Sequence, residues 1–295
     1  MSSHQAIVLV SLLASLRLSA ADGVATTPKP VPPLRVTLLG TGNPRPMPER
    51  YGPSALVEAA TMPPTRILVD AGRGAAERLF TVGKRNLLSG IDLVLLTHLH
   101  SDHVVGLPDL WLTGWLFGRS KPIVLRGPEG TASLMSHLEQ AYAFDVKMRR
   151  DVDERLPGAG AEADARDIPP ETVFEVNGVK VTAFAVDHGP VKPAYGYRID
   201  YAGKSVVFSG DTRYSENVIA HAKGCDVLVH EVVAPDVERR ASVMRDPAVT
   251  QRIIDHHTTP EDAGRVFTAV KPKLAVYSHI VPSVTTAKDL EGPTR

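Results

Sequence analysis

Within one short stretch the chain places His98, His100, Asp102 and His103, in the order His98-Leu99-His100-Ser101-Asp102-His103. Imidazole and carboxylate are good zinc ligands once deprotonated. Three histidines and an aspartate this close together would be expensive to bury without a cation between them. The flanks argue for burial: Leu93–Leu96 reads as a buried strand, and Val104-Val105-Gly106-Leu107 follows the cluster. A loop of solvated histidines fits such flanks poorly. Strand alternation puts His98 and His100 on one side, and a turn into a helix brings Asp102 and His103 back to the same point. Other candidates stand alone. His188 and His279 each end an apolar run, and Asp211 lies in Ser209-Gly210-Asp211-Thr212. Taken singly, these are ordinarily core histidines and a turn aspartate.

The elements that must position these groups alternate along the whole length. Strands are expected at Arg35–Leu39, Ala55–Glu58, Arg66–Val69, Leu93–Leu96, Ile123–Leu125, Val173–Val176, Lys180–Ala185, Gly196–Asp200, Ser205–Ser209, Val227–His230 and Leu274–Ser278. Helices are expected at Gly74–Val82, Val104–Phe117, Thr131–Tyr142, Glu216–Lys223 and Pro260–Val270. The last has the clearest start: Thr259 as N-cap, Pro260 at the first position, then Glu261 and Asp262 at the positive end. Asp151 to Pro170 is acidic and lacks periodicity, and reads as a surface loop. Interleaved strands and helices imply an α/β fold with a sheet core covered by helices.

The chain has 295 residues, 43% of them hydrophobic, enough for one large domain. Its formal net charge is +0, so no global field draws it to nucleic acid or to an anionic membrane. Ala6 to Leu16 is an apolar run too short to span a bilayer. Ser19-Ala20-Ala21 then offers small residues suited to signal peptidase, although no Lys or Arg precedes the run. Residues 1–21 therefore read as a signal peptide, 22–33 as a Pro/Thr-rich linker and 34–295 as the folded domain. A periplasmic or secreted location is expected, with no membrane span in the mature chain; a homodimer is compatible with the sequence. Cys225, the sole cysteine, precedes an apolar run and reads as a buried, inert thiol.

The His-x-His-x-Asp-His cluster resembles the signature of the metallo-β-lactamase superfamily. Leu39-Gly40-Thr41-Gly42, Leu68-Val69-Asp70-Ala71-Gly72 and Arg126-Gly127-Pro128-Glu129-Gly130 resemble, in order, segments of its ribonuclease Z-like and arylsulfatase-like branch. Val186-Asp187-His188-Gly189, Phe208-Ser209-Gly210-Asp211-Thr212-Arg213 and Tyr277-Ser278-His279 continue the series. Each segment is weak alone; the ordered set is specific. The resemblance implies a four-layer αββα sandwich. It also implies two zinc ions, for which manganese or iron could substitute. One ion would be held by His98, His100 and His188 and the other by Asp102, His103 and His279, with Asp211 bridging. Asp70 would orient the cluster from behind.

Such a pair of ions would lower the pKa of a shared water and so support hydrolysis by a bridging hydroxide. Asp102 is thereby assigned to the catalytic centre as well as to the metal. His230-Glu231-Val232-Val233 and His257-Thr258-Thr259 resemble the segments that supply a glutamate–histidine pair in ribonuclease Z-like enzymes. There Glu231 would orient His257, and His257 would protonate the leaving oxygen. Only Asp200 to Ser205 joins two strands where bacterial ribonuclease Z carries a long tRNA-gripping arm. That, with the neutral charge and the leader, makes a small ester the expected substrate, a phosphodiester or an aryl sulfate ester, and nucleic acid an unlikely partner. The alternatives are a ribonuclease Z-type tRNA 3′ endonuclease, and then a lactone or β-lactam hydrolase. Trp111 and Trp115 either line the pocket or, as their helical spacing favours, belong to the core. Arg50 either meets a substrate anion or is solvated.

Overall fold

The computed structural model describes residues 31–295. The expected signal peptide and residues 22–30 of the linker lie outside the described residues. From Pro32 onward the chain forms one compact unit. Its first half builds one six-stranded sheet from β1 (Leu34–Gly40), β2 (Ser54–Ala59), β3 (Thr65–Val69), β4 (Leu93–Leu95), β5 (Ile123–Gly127) and β6 (Ala163–Asp167). The second half builds another from β7 (Val173–Val176), β8 (Val179–Ala185), β9 (Tyr195–Tyr201), β10 (Lys204–Phe208), β11 (Val227–Val233) and β12 (Leu274–Val281). In both sheets the strands lie in chain order. The first sheet changes from antiparallel to parallel at β3–β4, the second at β10–β11.

Period-two alternation explains the layering. Val57, Ile67, Val69, Leu93 and Leu95 face Val181, Tyr197, Ile199, Val206 and Phe208 of the other sheet in one dry core. Their neighbours Leu56, Leu68, Val94 and Leu96 point outward to α1 (Ala75–Leu88), α3 (Leu107–Leu116) and α4 (Thr131–Ala141). Phe184, Val207 and Leu228 do the same against α6 (Glu216–Ala222) and α9 (Pro260–Val270). Strands apolar on both faces are what a sheet covered on both sides requires. The result is the four-layer αββα sandwich expected from the sequence. The remaining helices are α2 (Ser101–Val104), α5 (Ala143–Asp151), α7 (Pro235–Ala241), α8 (Pro247–Asp255) and α10 (Ala287–Thr294).

Two local differences have physical causes. The helix expected over Val104–Phe117 breaks into α2 and α3 at Gly106, because the chain there is pressed against the loop after β3. A Cβ on Gly106 would lie 2.2 Å from the Gly72 carbonyl oxygen. The stretch read as a loop contains β6, an edge strand parallel to β5 whose Ala/Asp/Arg composition disguises it. Asn177-Gly178 and Ala202-Gly203 turn hairpins, with Asn177 and Ala202 at φ 50° and 48°. Cys225 is buried, and burial pushes its thiol up to about 11.

Candidate metal centre

Strands from both sheets end at one cleft. After β4 the chain runs through His98 to His100, whose extended backbone precedes α2, and that single turn carries Asp102 and His103. The turn is fixed from behind. Ala71 N–H donates to the His103 carbonyl and Gly106 N–H to the Ala71 carbonyl, both at 2.9 Å. A Cβ on Gly72 would stand 2.5 Å from the Asp102 carbonyl oxygen, so only glycine permits this approach. Asp70 accepts from the Thr97 N–H at 2.8 Å and the Thr97 hydroxyl at 2.9 Å, and pairs with His103 Nδ1 at 2.8 Å. His103 therefore turns Nε2 to the cleft.

The second sheet supplies the rest. His188 follows β8; its Nδ1 donates to the His256 carbonyl at 2.9 Å, leaving Nε2 3.4 Å from His100 Nδ1. Asp211 follows β10 beyond Gly210, which has φ 60°. His279 is aimed by a β-bulge: His230 pairs with Tyr277 and Val232 with Ile280, so β12 carries one extra residue there, and His279 takes φ 42°. Asp211 Oδ2 is the common point, 3.2 Å from His279 Nε2, 3.3 Å from His103 Nε2, 3.7 Å from His98 Nε2 and 3.9 Å from His188 Nε2. Two sets of donors result: His98, His100, His188 and Asp211, and beside them Asp102, His103 and His279, the atoms of each within 4.8 Å of one another.

A cation suits this arrangement. His98 Nε2 and His103 Nε2 are buried with no hydrogen-bond partner, a costly state that coordination relieves. Burial holds His98 and His100 below the ordinary histidine range and His188 down at about 3, which keeps them as neutral imidazoles. Burial also opposes charge on His103 and His279, but Asp211 and its neighbouring carboxylates outweigh it and raise both. For Asp211, burial is overcome by His279 and His103, and the carboxyl stays ionised. Cation binding here would displace the protons on His103 and His279.

Glu231 and His257 meet beside these groups. Glu231, in β11, is 2% exposed; Oε1 accepts from Thr258 N–H at 2.7 Å, and Oε2 faces His257 Nδ1 at 3.2 Å. Burial favours the neutral form of both, raising Glu231 above the usual carboxylate range and lowering His257 to about 4. The other face of His257 belongs to the cleft, with Asp211 and His279 in reach. The cleft encloses about 320 Å³. Trp111 and Trp115 are core residues, 1% exposed, whose indoles donate to the Ala161 and Pro157 carbonyls. Arg50 donates to the Thr285 carbonyl at 2.7 Å and thus braces the backbone. Sequence reasoning missed Arg45, Glu238 and Arg245, which line the cleft from irregular segments or a short charged helix with no motif to mark them.

The family model described as the beta-lactamase superfamily domain matches residues 65–280. The chain belongs to the metallo-β-lactamase superfamily. It is thus a metal-dependent hydrolase with His/Asp clusters able to bind metal. A ribonuclease Z of Mycobacterium avium (strain 104) is 36% identical over 261 residues, covering 87% of this chain and 89% of that one. A ribonuclease Z of Mycobacterium bovis (strain BCG / Pasteur 1173P2) is 34% identical over 262 residues, covering 85% and 87%. Among solved superfamily structures, human tRNase Z, short form, aligns with TM-score 0.64 and 22% identity over 83% of this chain and 92% of that one. The metallo-beta-lactamase fold protein YhfI of Bacillus subtilis aligns with TM-score 0.64 and 18% identity over 89% and 92%.

These relatives overturn two expectations. A small ester as the main substrate, and nucleic acid as an unlikely partner, both conflict with similarity over most of both chains to proteins named ribonuclease Z. The expectation leaned on a short β9–β10 hairpin, zero net charge and the expected leader. None of these bears on the cleft where a phosphodiester would be cut, and local charge can act where net charge is nil.

Proposed function

We propose that this protein is a ribonuclease Z-type endonuclease that hydrolyses a phosphodiester of a tRNA precursor at a two-zinc centre. The observation that carries the reading is the buried Glu231–His257 pair, 3.2 Å apart, at the edge of the donor cluster. A ribose oxygen is a poor leaving group and needs a proton; the less basic phenolate released from an aryl sulfate needs far less help. Similarity to ribonuclease Z across most of both chains supports the same reading.

His98, His100 and His188 would hold one ion, Asp102, His103 and His279 the other, with Asp211 between them. When bound, the ions supply Lewis acidity, lowering the pKa of water and neutralising charge on the phosphate. The protein's own part is positional. Asp70 and the His256 carbonyl fix two imidazole rings, Glu231 fixes a third, and His257 delivers its proton to the departing oxygen. The test is cleavage of a 3′-extended tRNA precursor by the full chain, with nitrophenyl sulfate in parallel and zinc content measured. Cleavage that chelator abolishes and zinc restores is expected. Turnover of the sulfate with the RNA left intact would refute the reading.

A further inference from the structure

Two arginines with no role in the chemistry above open onto the same cleft. Arg45 lies in the loop after β1 and Arg245 in the loop between α7 and α8; both line the cavity that also contains His100, Asp102 and His257. Each is fixed by buried polar groups. The backbone N–H of Arg45 donates to Asn43 Oδ1 at 3.0 Å. Asn43 is 6% exposed, donates to the Ile280 carbonyl at 2.8 Å and accepts from the Ser283 hydroxyl at 3.0 Å. The loop carrying Arg45 is thereby tied to the strand that carries His279. The Arg45 guanidinium forms no ion pair among the described residues.

Arg245 is held differently. Its Nη1 donates to Glu238 Oε1 at 2.9 Å, and Ser242 Oγ donates to the same oxygen at 2.6 Å. Glu238 is 2% exposed, and this buried carboxylate anchors one nitrogen of the guanidinium. Nε and Nη2 stay available on a side chain that remains 39% exposed. The one obvious basic run offers nothing comparable. Lys147, Arg149 and Arg150 of α5 are each paired with Asp151, Asp145 or Glu154.

One phosphodiester needs only the metal centre; a polynucleotide also brings a phosphate on either side of the bond that breaks. We propose that Arg45 and Arg245 bind these flanking phosphates and make the cleft selective for a nucleic acid strand over an isolated diester. This rests on the ribonuclease reading above. Guanidinium is the side chain suited to phosphate oxygens, and two such contacts supply locally what the neutral surface lacks.

The test compares kcat/KM of the zinc-loaded full chain on a tRNA precursor and on bis(nitrophenyl) phosphate, from 50 to 200 mM salt (a range over which phosphate contacts weaken strongly). Variants are Arg45→Ala, Arg245→Ala and Arg245→Lys, with thermal midpoints recorded to confirm folding. Each alanine variant should lose about tenfold more on RNA than on the small diester. Each should also flatten the salt dependence on RNA by about 0.7 in log–log slope, the value for one phosphate contact on a single strand. Arg245→Lys keeps the charge and should retain the wild-type slope. Equal losses on both substrates, or an unchanged slope, would overturn the assignment while RNA cleavage by the wild type stands. A wild type that cleaves the diester but no RNA overturns the ribonuclease reading, and this inference with it.

Discussion

One oxygen atom, Asp211 Oδ2, faces histidines of both donor sets. Asp211→Ala should therefore lower bound zinc in both positions and abolish RNA cleavage together; elemental analysis beside an activity assay checks this. His257 lies within 4.8 Å of a carboxylate oxygen of the same aspartate but is tied to Glu231. His257→Ala should slow RNA cleavage by about 10²–10⁴-fold, the usual range for general-acid assistance. It should slow a nitrophenyl phosphodiester much less, because nitrophenolate departs without help. Equal losses on the two substrates would assign His257 to binding instead. Cys225 makes a separate case. Burial keeps its thiol protonated at neutral pH, and the thiolate is the reactive form, so a thiol reagent should label it only as the protein unfolds in denaturant. Legibility at this scale follows chain distance. His98 to His103 are contiguous and announce themselves. Remote His188, Asp211 and His279 became readable only through family resemblance. Arg45 and Arg245 carry no local pattern, since a lone arginine in a loop looks the same whether it faces water or a substrate.

The elements position the site through a few backbone devices. The loop after β3 lies directly on α2, with glycine at the contact. Gly72→Ala would push a methyl into the Asp102 carbonyl and the Gly52 backbone. It should weaken zinc binding and activity although Gly72 touches no metal; a zinc titration that matches wild type would contradict this. At α9, Thr259 Oγ1 accepts from the Asp262 N–H at 3.3 Å. Thr259→Ala should destabilise the protein by about 1 kcal/mol, read from denaturant unfolding. The start of α9 was legible because its cap, proline and acidic first turn all agree. The bulge in β12 was not, because an extra residue leaves the apolar run unchanged. Helices α7 and α8 were missed although Pro235 and the Asp246-Pro247 pair mark their starts. Each is short, and α7 is crowded with charge, so a 3.6-residue apolar stripe has no room to show.

At the scale of the molecule, the two sheets are consecutive halves of the chain, and each contributes donor groups to the cluster between them. Binding a cation only in the folded state stabilises that state by mass action. Zinc should raise the thermal midpoint of chelated protein, and the rise should vanish in Asp211→Ala. A midpoint indifferent to zinc would mean that the donors do not bind it. The α/β class was legible from the rhythm of short apolar runs and helices. The large-scale failure was substrate: net charge, one short hairpin and the expected leader stood in for a surface whose local charges, two arginines at the cleft among them, the sequence does not mark. The split into halves has one more consequence, which concerns how the molecule is made. A ribosome delivers His98 to His103 long before His279, so a nascent chain can present the first cluster while the donor set is still incomplete. The donors of one position are complete once Asp211 has been made, and those of the other only once His279 has followed. Separately produced halves, cut between β6 and β7, would each be inactive and would regain a full donor set only by pairing.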